Sequence, residues 1–268
     1  MTTARRAPIP ADARQNPVDI AARAAFDRQY GSPDLGPLAI VVPAYREAAS
    51  IATVVRSIPT TVLGLRVAIL VVVDGPDEDT ARAATAAGAY VSMPSVNRGQ
   101  GAALNLGYVL AAGHGAEFLV TIDADGQYDP GEIPTLLEPI LHGRADFVSG
   151  SRRLGANHQQ DRIRQLGVVV YAALISILTR HHVTDPSFGL RAMRADVPAA
   201  IELDQPQYQA AELLIGAIMR GFRVTERPAT MRRRTGGRSK KGSNLAYGYQ
   251  FGRVVISTWC RERGRRCS

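Results

Sequence analysis

Four short apolar runs, at residues 38–42, 67–73, 89–93 and 117–122, alternate with helix-like segments, and few folds accommodate that alternation. Within each run successive residues are apolar, not every second one, so both faces of each strand need cover. Helical segments near 47–57, 80–88 and 102–112 can supply it as crossovers between parallel neighbours. The pattern predicts an α/β, Rossmann-like sheet, mainly parallel and flanked by helices. Ligands of such sheets bind beyond the carboxyl ends of the strands. Four polar clusters fall there: Tyr45 with Glu47, Asp74, residues 97–101, and residues 123–127.

Beyond Pro130 the pattern loosens. A strand is expected at 146–150, an apolar helix at 165–179, a loop or short strand at 185–191, a helix at 209–219 and an extended segment at 223–231. A basic loop and a last helix, 245–260, follow. Residues 1–36 are poorly patterned apart from a short helix at 20–30. The reading is therefore an N-terminal extension (1–36), one α/β domain (37–245) and a basic C-terminal helix or tail (246–268).

Charge is uneven. The chain carries a formal +8, and fourteen of its 32 Lys/Arg but only two of its 24 acids lie in residues 219–268. A basic end on a mildly acidic body suits an anion such as phosphate or acidic lipid, and equally a solvated tail. Few aromatics are interleaved with these cations, which argues against nucleic acid. The two cysteines, Cys260 and Cys267, make no disulfide framework and no metal pattern with the histidines, so a reducing, cytoplasmic setting is expected. No signal peptide is legible. The most apolar run, 166–178, spans roughly 20 Å as a helix against the ~30 Å core of a bilayer. It is either core or an interfacial helix in the headgroup region. In the last helix Leu245, Tyr249, Ile256 and Trp259 fall on one side, with Arg253 and residues 261–266 available to acidic headgroups.

Asp123-Ala124-Asp125 carries the chemistry. Two carboxylates flanking one small residue after an apolar strand can point into one space, and Mg²⁺ or Mn²⁺ takes such oxygen ligands together with substrate phosphates. Gln127 stands two residues on. Alone the pair reads as surface carboxylates at a turn; the other clusters at the same edge favour a site. Gly99 and Gly101 can bring backbone N–H groups and a helix N-terminus close to an anion, or merely make a turn. Arg152 offers a planar fork to phosphate. The cations at 232–234 and 238–241, with glycines between them, suggest a loop that closes over a diphosphate.

These segments resemble family 2 glycosyltransferases of the GT-A fold. The motifs at 41–47 (VVPAYRE), 74–75 (DG), 97–102 (NRGQGA), 123–127 (DADGQ) and 150–152 (GSR) have that family's order and spacing. Residues 185–191 (DPSFGLR) and 234–240 (RTGGRSK) resemble the polyprenyl-phosphate mannose/glucose synthase branch. The resemblance implies a nucleotide-sugar donor (GDP- or UDP-hexose) with Pro43, Tyr45, Glu47 and Asp74 around the nucleoside. It assigns Asp123, Asp125 and Gln127 to metal and diphosphate, and Arg152, Arg234 and Lys240 to phosphates. It further implies an inverting transfer to a lipid phosphate. By the same resemblance, a hydroxyl acceptor would draw its general base from a Glu-Asp pair near residue 212; here only Glu212 remains, and an ionised phosphate acceptor needs no base. Peripheral contact with the inner face of an anionic membrane would follow. The alternatives are a glycosyltransferase to a hydroxyl acceptor with Glu212 as base, a nucleotidyltransferase, and a non-catalytic nucleotide-sugar or lipid binder.

Overall fold

A computed structural model describes residues 16–158, 161–233 and 244–266. In chain order the elements are α1 (Pro17–Tyr30), β1 (Leu38–Ala44), α2 (Ile51–Ser57), β2 (Thr61–Val62), β3 (Leu65–Val73), α3 (Glu78–Ala86), β4 (Tyr90–Ser92), α4 (Gln100–Gly113) and β5 (Phe118–Thr121). A 3₁₀ turn then leads into α5 (Ile133–Leu141), β6 (Phe147–Asn157), α6 (Arg162–Thr179), β7 (Arg191–Arg194), α7 (Asp196–Ala199), α8 (Gln209–Met219), β8 (Val224–Met231) and α9 (Asn244–Arg266).

The strands make one sheet in the order β2-β3-β1-β5-β7-β6-β8, with β4 also on β3. β4, β3, β1 and β5 are mutually parallel, as their continuous apolarity predicts. β7 runs antiparallel between β5 and β6, and β6 pairs parallel with β8. Both faces are buried. Along β1, Ala39 and Val41 join the core under α1, α4 and α8, while Leu38, Ile40, Val42 and Ala44 join the core under α2, α3 and α5. Each such Val, Leu or Ile contributes about 1.5–3 kcal/mol of hydrophobic stabilisation.

Pro43 sits inside a central strand, where a missing N–H would ordinarily break a ladder. Here Val41 turns its carbonyl toward the β5 side, accepting from Ile122 N, and β5 ends opposite Val41. Pro43 faces the same side one pleat further on, past the end of that ladder, so no strand bond is lost.

The helices expected at 20–30 and 245–260 are both longer than their patterning predicts. α1 begins on an Asn16 cap with Pro17 at its first position and stops at Gly31 in the left-handed region. Its Phe26 is buried among the rings of Tyr30, Tyr90 and His114. At the other end α9 runs on to Arg266 and packs Phe251, Val254 and Val255 into the body.

α6 buries Ala172 and Ile175 and presses Tyr171 against Gly252 of α9, yet it leaves Ile163, Leu166, Val169, Val170 and Ile177 exposed. Among the described residues no helix is long and apolar enough to cross a membrane.

Candidate active site

The sheet edge collects the expected clusters. β1 ends at Ala44 and hands on to Tyr45, whose ring lies beneath the Arg46 guanidinium at 5.2 Å. The turn is tied to α3 by Arg46 N donating to Asp77 (2.8 Å) and Glu47 N donating to Thr80 Oγ1 (3.0 Å). The Glu47 carboxylate accepts from Ser50 Oγ.

β5 delivers the acidic motif. Asp123 accepts from Gln100 Nε2 at 2.8 Å, and Asp125 is buried with Oδ1 accepting from Gln127 N at 3.1 Å, an Asx turn that fixes its carboxyl. Gln127 then holds the end of β8: its carbonyl accepts from Arg232 N (2.8 Å) and its Nε2 donates to the Arg232 carbonyl (3.2 Å). Arg232 also pairs with Asp129. The basic loop therefore leaves the described structure beside Gln127; Arg234 and Lys240 lie outside the described residues.

Gly189 of the 185–191 motif passes directly behind Asp123. A Cβ there would stand 2.8 Å from Asp123 Oδ2 and 2.9 Å from the Tyr128 hydroxyl, so only glycine leaves the carboxylate its room. The donor set suits a hard divalent cation: two carboxylates and an amide oxygen from one short loop, leaving most of the shell to phosphate and water. Among the described residues no cluster of three or more His, Cys, Asp or Glu closes around a metal, as a dedicated protein cage would require.

Three expected contacts are spent elsewhere. Asp74 is buried and its carboxylate accepts from the N–H groups of Arg98 (2.9 Å) and Gly99 (2.8 Å), so it braces the glycine loop. The N–H of Gly99 is thus on Asp74, and that of Gly101 donates to the Pro206 carbonyl at 2.9 Å. Neither is turned to an anion. The glycines serve a close backbone approach, since a Cβ at 99 would lie 2.4 Å from Pro206 O and one at 101 would lie 1.9 Å from Gln205 O. Arg152 lays its fork on buried Asp185 (Nε–Oδ2 2.6 Å, Nη2–Oδ1 3.2 Å) and reaches Ser187.

Glu212 is a correction of larger consequence. It is fully buried; one oxygen accepts from Asp204 N and the other from Gln205 N, and Arg261 pairs with it at 2.9 Å. Burial raises its pKa despite the arginine. A carboxylate so engaged has no oxygen for an incoming hydroxyl, so the base role is withdrawn. The tail is corrected in the same way. Arg261 is committed to Glu212 and Asp204, and Arg265 pairs with Glu202, so these two of the expected headgroup cations are tied to the body; Arg220 holds buried Glu262.

A family model described as "Glycosyl transferase family 2" matches residues 39–199, more than half of the chain. A dolichyl-phosphate hexose transferase of Haloferax volcanii is 32% identical over 228 residues, covering 85% of this chain and 96% of that protein. The chain belongs to glycosyl transferase family 2. An undecaprenyl-phosphate mannosyltransferase of Micrococcus luteus is 29% identical over 221 residues, 76% of this chain and 87% of that one. Both names fit the polyprenyl-phosphate branch that the motifs resemble. Among solved structures, glucosyl-3-phosphoglycerate synthase of Mycobacterium tuberculosis with phosphoglyceric acid superposes with a TM-score of 0.65 at 23% identity, over 90% of this chain and 84% of that one. The same enzyme with Mn²⁺, UDP and phosphoglyceric acid gives 0.63 at 23% identity, over 90% and 82%. At that identity the likeness establishes the GT-A fold.

This family 2 glycosyltransferase also has a polar floor that the sequence did not announce. Arg191, at the start of β7, is buried and donates to the carbonyls of Ala210 (2.8 Å) and Pro186 (3.2 Å), with its ring-side face 5.9 Å from Phe147. Burial lowers its pKa, and the nearby Tyr108, Tyr128, Asp185 and Asp123 oppose that shift. Burial likewise pushes Tyr108 up to about 12 and Tyr128 well above its ordinary value. Both tyrosines stay neutral near Asp123. Tyr128 was within reach of inference, following Gln127 directly, and Arg191 closes the 185–191 motif; Tyr108 reaches the site only through long-range packing.

Proposed function

We propose that this glycosyltransferase moves a hexose from a GDP- or UDP-sugar to a polyprenyl phosphate, with Mg²⁺ or Mn²⁺ held by Asp123, Asp125 and Gln127. One observation carries the reading: the two carboxylates share the end of β5, beside Gln127 and the root of the basic loop. A bound divalent cation would neutralise the donor's diphosphate and so improve it as a leaving group. Pro43, Tyr45 and Glu47 line the nucleoside end of the same edge, and Asp74 supports it through the loop it braces.

The reaction is one displacement. An acceptor phosphate oxygen attacks the anomeric carbon, the bond from that carbon to the donor's terminal phosphate oxygen breaks, and nucleoside diphosphate leaves with inversion. The engagement of Glu212 supports an acceptor that is already ionised, because no proton then has to be removed. The names of the two lipid-phosphate relatives support the same class. Arg234 and Lys240 belong to the loop that would cover the phosphates. The exposed apolar side of α6 supports peripheral contact with an anionic membrane, where a polyprenyl phosphate resides.

The test is release of nucleoside diphosphate from a panel of GDP- and UDP-hexoses, with Mg²⁺ or Mn²⁺ and with either polyprenyl phosphate or 3-phosphoglycerate. Release that needs both metal and the lipid supports the reading. Release with phosphoglycerate alone overturns the lipid acceptor, and metal-independent release overturns the role of the carboxylates.

A further inference from the structure

The Gly-rich loop before α4 is held from three sides, and two of the holds come from chain ends outside the matched family segment. Asp74 takes the N–H groups of Arg98 and Gly99 from the sheet side. The side chain of Arg98 runs the other way, into an ion pair with Asp19 in the first turn of α1. Asp19 is 5% exposed, and Arg98 Nε is buried with no partner of its own, so the guanidinium depends on that carboxylate. From the third side, Gly101 N donates to Pro206 O, in a segment pinned through the N–H groups of Asp204 and Gln205 to Glu212, and thence to Arg261 of α9.

The residue at the centre of these holds is Gln100. It opens α4, and its amide donates to Asp123 at 2.8 Å. A glutamine side chain has rotameric freedom to lose on pairing, and the pair forms reproducibly only where both backbones are fixed. Asp123 is fixed by β5 and by the passage of Gly189; Gln100 is fixed by α4 and by the loop that leads into it.

We infer that Asp19 is a positioning residue for the donor site: through Arg98 it fixes the 97–101 loop so that Gln100 orients the Asp123 carboxylate for the metal-bound diphosphate. The functional half of this inference rests on the proposed metal role of Asp123; the mechanical half does not. It also assigns α1 a task. The helix is anchored at its far end by Phe26 and presents Asp19 at its near end, where the helix's own positive end favours a carboxylate.

The experiment compares Asp19→Asn, Asp19→Glu and Arg98→Met in the full chain. Arg98→Met keeps the apolar stem and leaves Asp19 in a first turn that tolerates it, so it folds even where Asp19→Asn strands a buried cation. Hydrogen exchange of the 98 and 99 amides, without substrate, reads the loop directly and is expected to quicken in Asp19→Asn and Arg98→Met. Mn²⁺-dependent UDP binding and donor kinetics read the site. The expected result is about a 10-fold rise in half-saturating Mn²⁺ and a similar fall in kcat/KM for the donor, the scale of losing a supporting partner of a metal ligand. KM for the acceptor stays unchanged, and Asp19→Glu recovers most of the loss.

Unchanged exchange in both variants overturns the inference, whatever the enzyme's activity. Faster exchange with unaltered Mn²⁺ and donor parameters overturns the positioning role as well. Faster exchange in the variants, together with a wild type that neither binds UDP with Mn²⁺ nor turns over any donor, leaves the brace standing and defeats the metal reading instead.

Discussion

Glu212 and Arg261 meet at 2.9 Å in the interior, joining the first turn of α8 to the last turns of α9. The carboxylate is fully buried and the guanidinium largely so, which makes this a pair whose loss is felt more than its presence. Arg261→Ala should therefore destabilise the fold by about 3–5 kcal/mol at neutral pH, read by urea unfolding. Burial raises the pKa of Glu212 above its ordinary 4.5, so its protonated form favours the folded state. The defect should be smallest below that ordinary value and grow as pH rises through the raised one. A defect independent of pH would show that the lost packing of the arginine stem, not the stranded charge, dominates.

Glycines of one helix should answer differently to the same change. Gly101→Ala places a methyl 1.9 Å from the Gln205 carbonyl oxygen, a backbone atom that cannot step aside cheaply. A loss of about 1–3 kcal/mol is expected. Gly113→Ala, at the end of the same α4, meets nothing within 4 Å and should be neutral or stabilising by up to about 1 kcal/mol. Equal effects in thermal melts would remove the case for the glycine pair as a close-packing device.

Asp125→Asn isolates charge from geometry. The asparagine oxygen can still accept from Gln127 N, so the Asx turn and the melting temperature should be preserved. Metal-dependent turnover should fall about 10²-fold or more, the scale of removing one pre-organised electrostatic group. Near-normal kcat with the same metal requirement would exclude Asp125 from the metal site.

The apolar side of α6 predicts a lipid phenotype without a folding one. Leu166 and Val170 are 64% and 53% exposed, so Leu166→Glu with Val170→Glu should leave stability nearly unchanged, within about 0.5 kcal/mol. Sedimentation with vesicles of acidic phospholipid should drop sharply, and activity on polyprenyl phosphate should drop with it. Because Arg261 and Arg265 are tied to the body, their neutralisation should affect stability before it affects vesicle binding. Vesicle binding unaltered by the α6 changes would move the contact elsewhere.

Asp146 joins β6 to β8, accepting from Arg223 N (2.8 Å), Nε (2.9 Å) and Nη2 (2.7 Å). These bonds hold its pKa below the ordinary 3.8. Its contribution is therefore present above that value and lost as pH falls through the lowered one. Asp146→Asn should lower the melting temperature at pH 7, and the difference from wild type should close below about pH 4.

The strand runs were legible because burial on both faces demands unbroken apolarity, and that demand is local. The same holds for the acidic motif: Asp123, Asp125 and Gln127 are neighbours in sequence, and one turn brings them together. What local pattern could not supply was the use to which a polar group is put once distant segments arrive. Asp74, Gly99, Gly101, Arg152 and Glu212 all look, in sequence, like ligands for a substrate. Each is taken by a partner at least five residues away, and most by partners more than twenty residues away. Arg191 and Tyr108 reached the floor of the site by the reverse route, from β7 and α4. A hydrogen-bonding group names the chemistry it can do; whether a substrate or the protein claims it depends on which backbone packs against it. The sequence determined the alternation of strand and helix, the edge where the candidate site lies and the acidic pair proposed for its centre. Tertiary structure alone decided which of the remaining polar groups serve that site and which hold it in place.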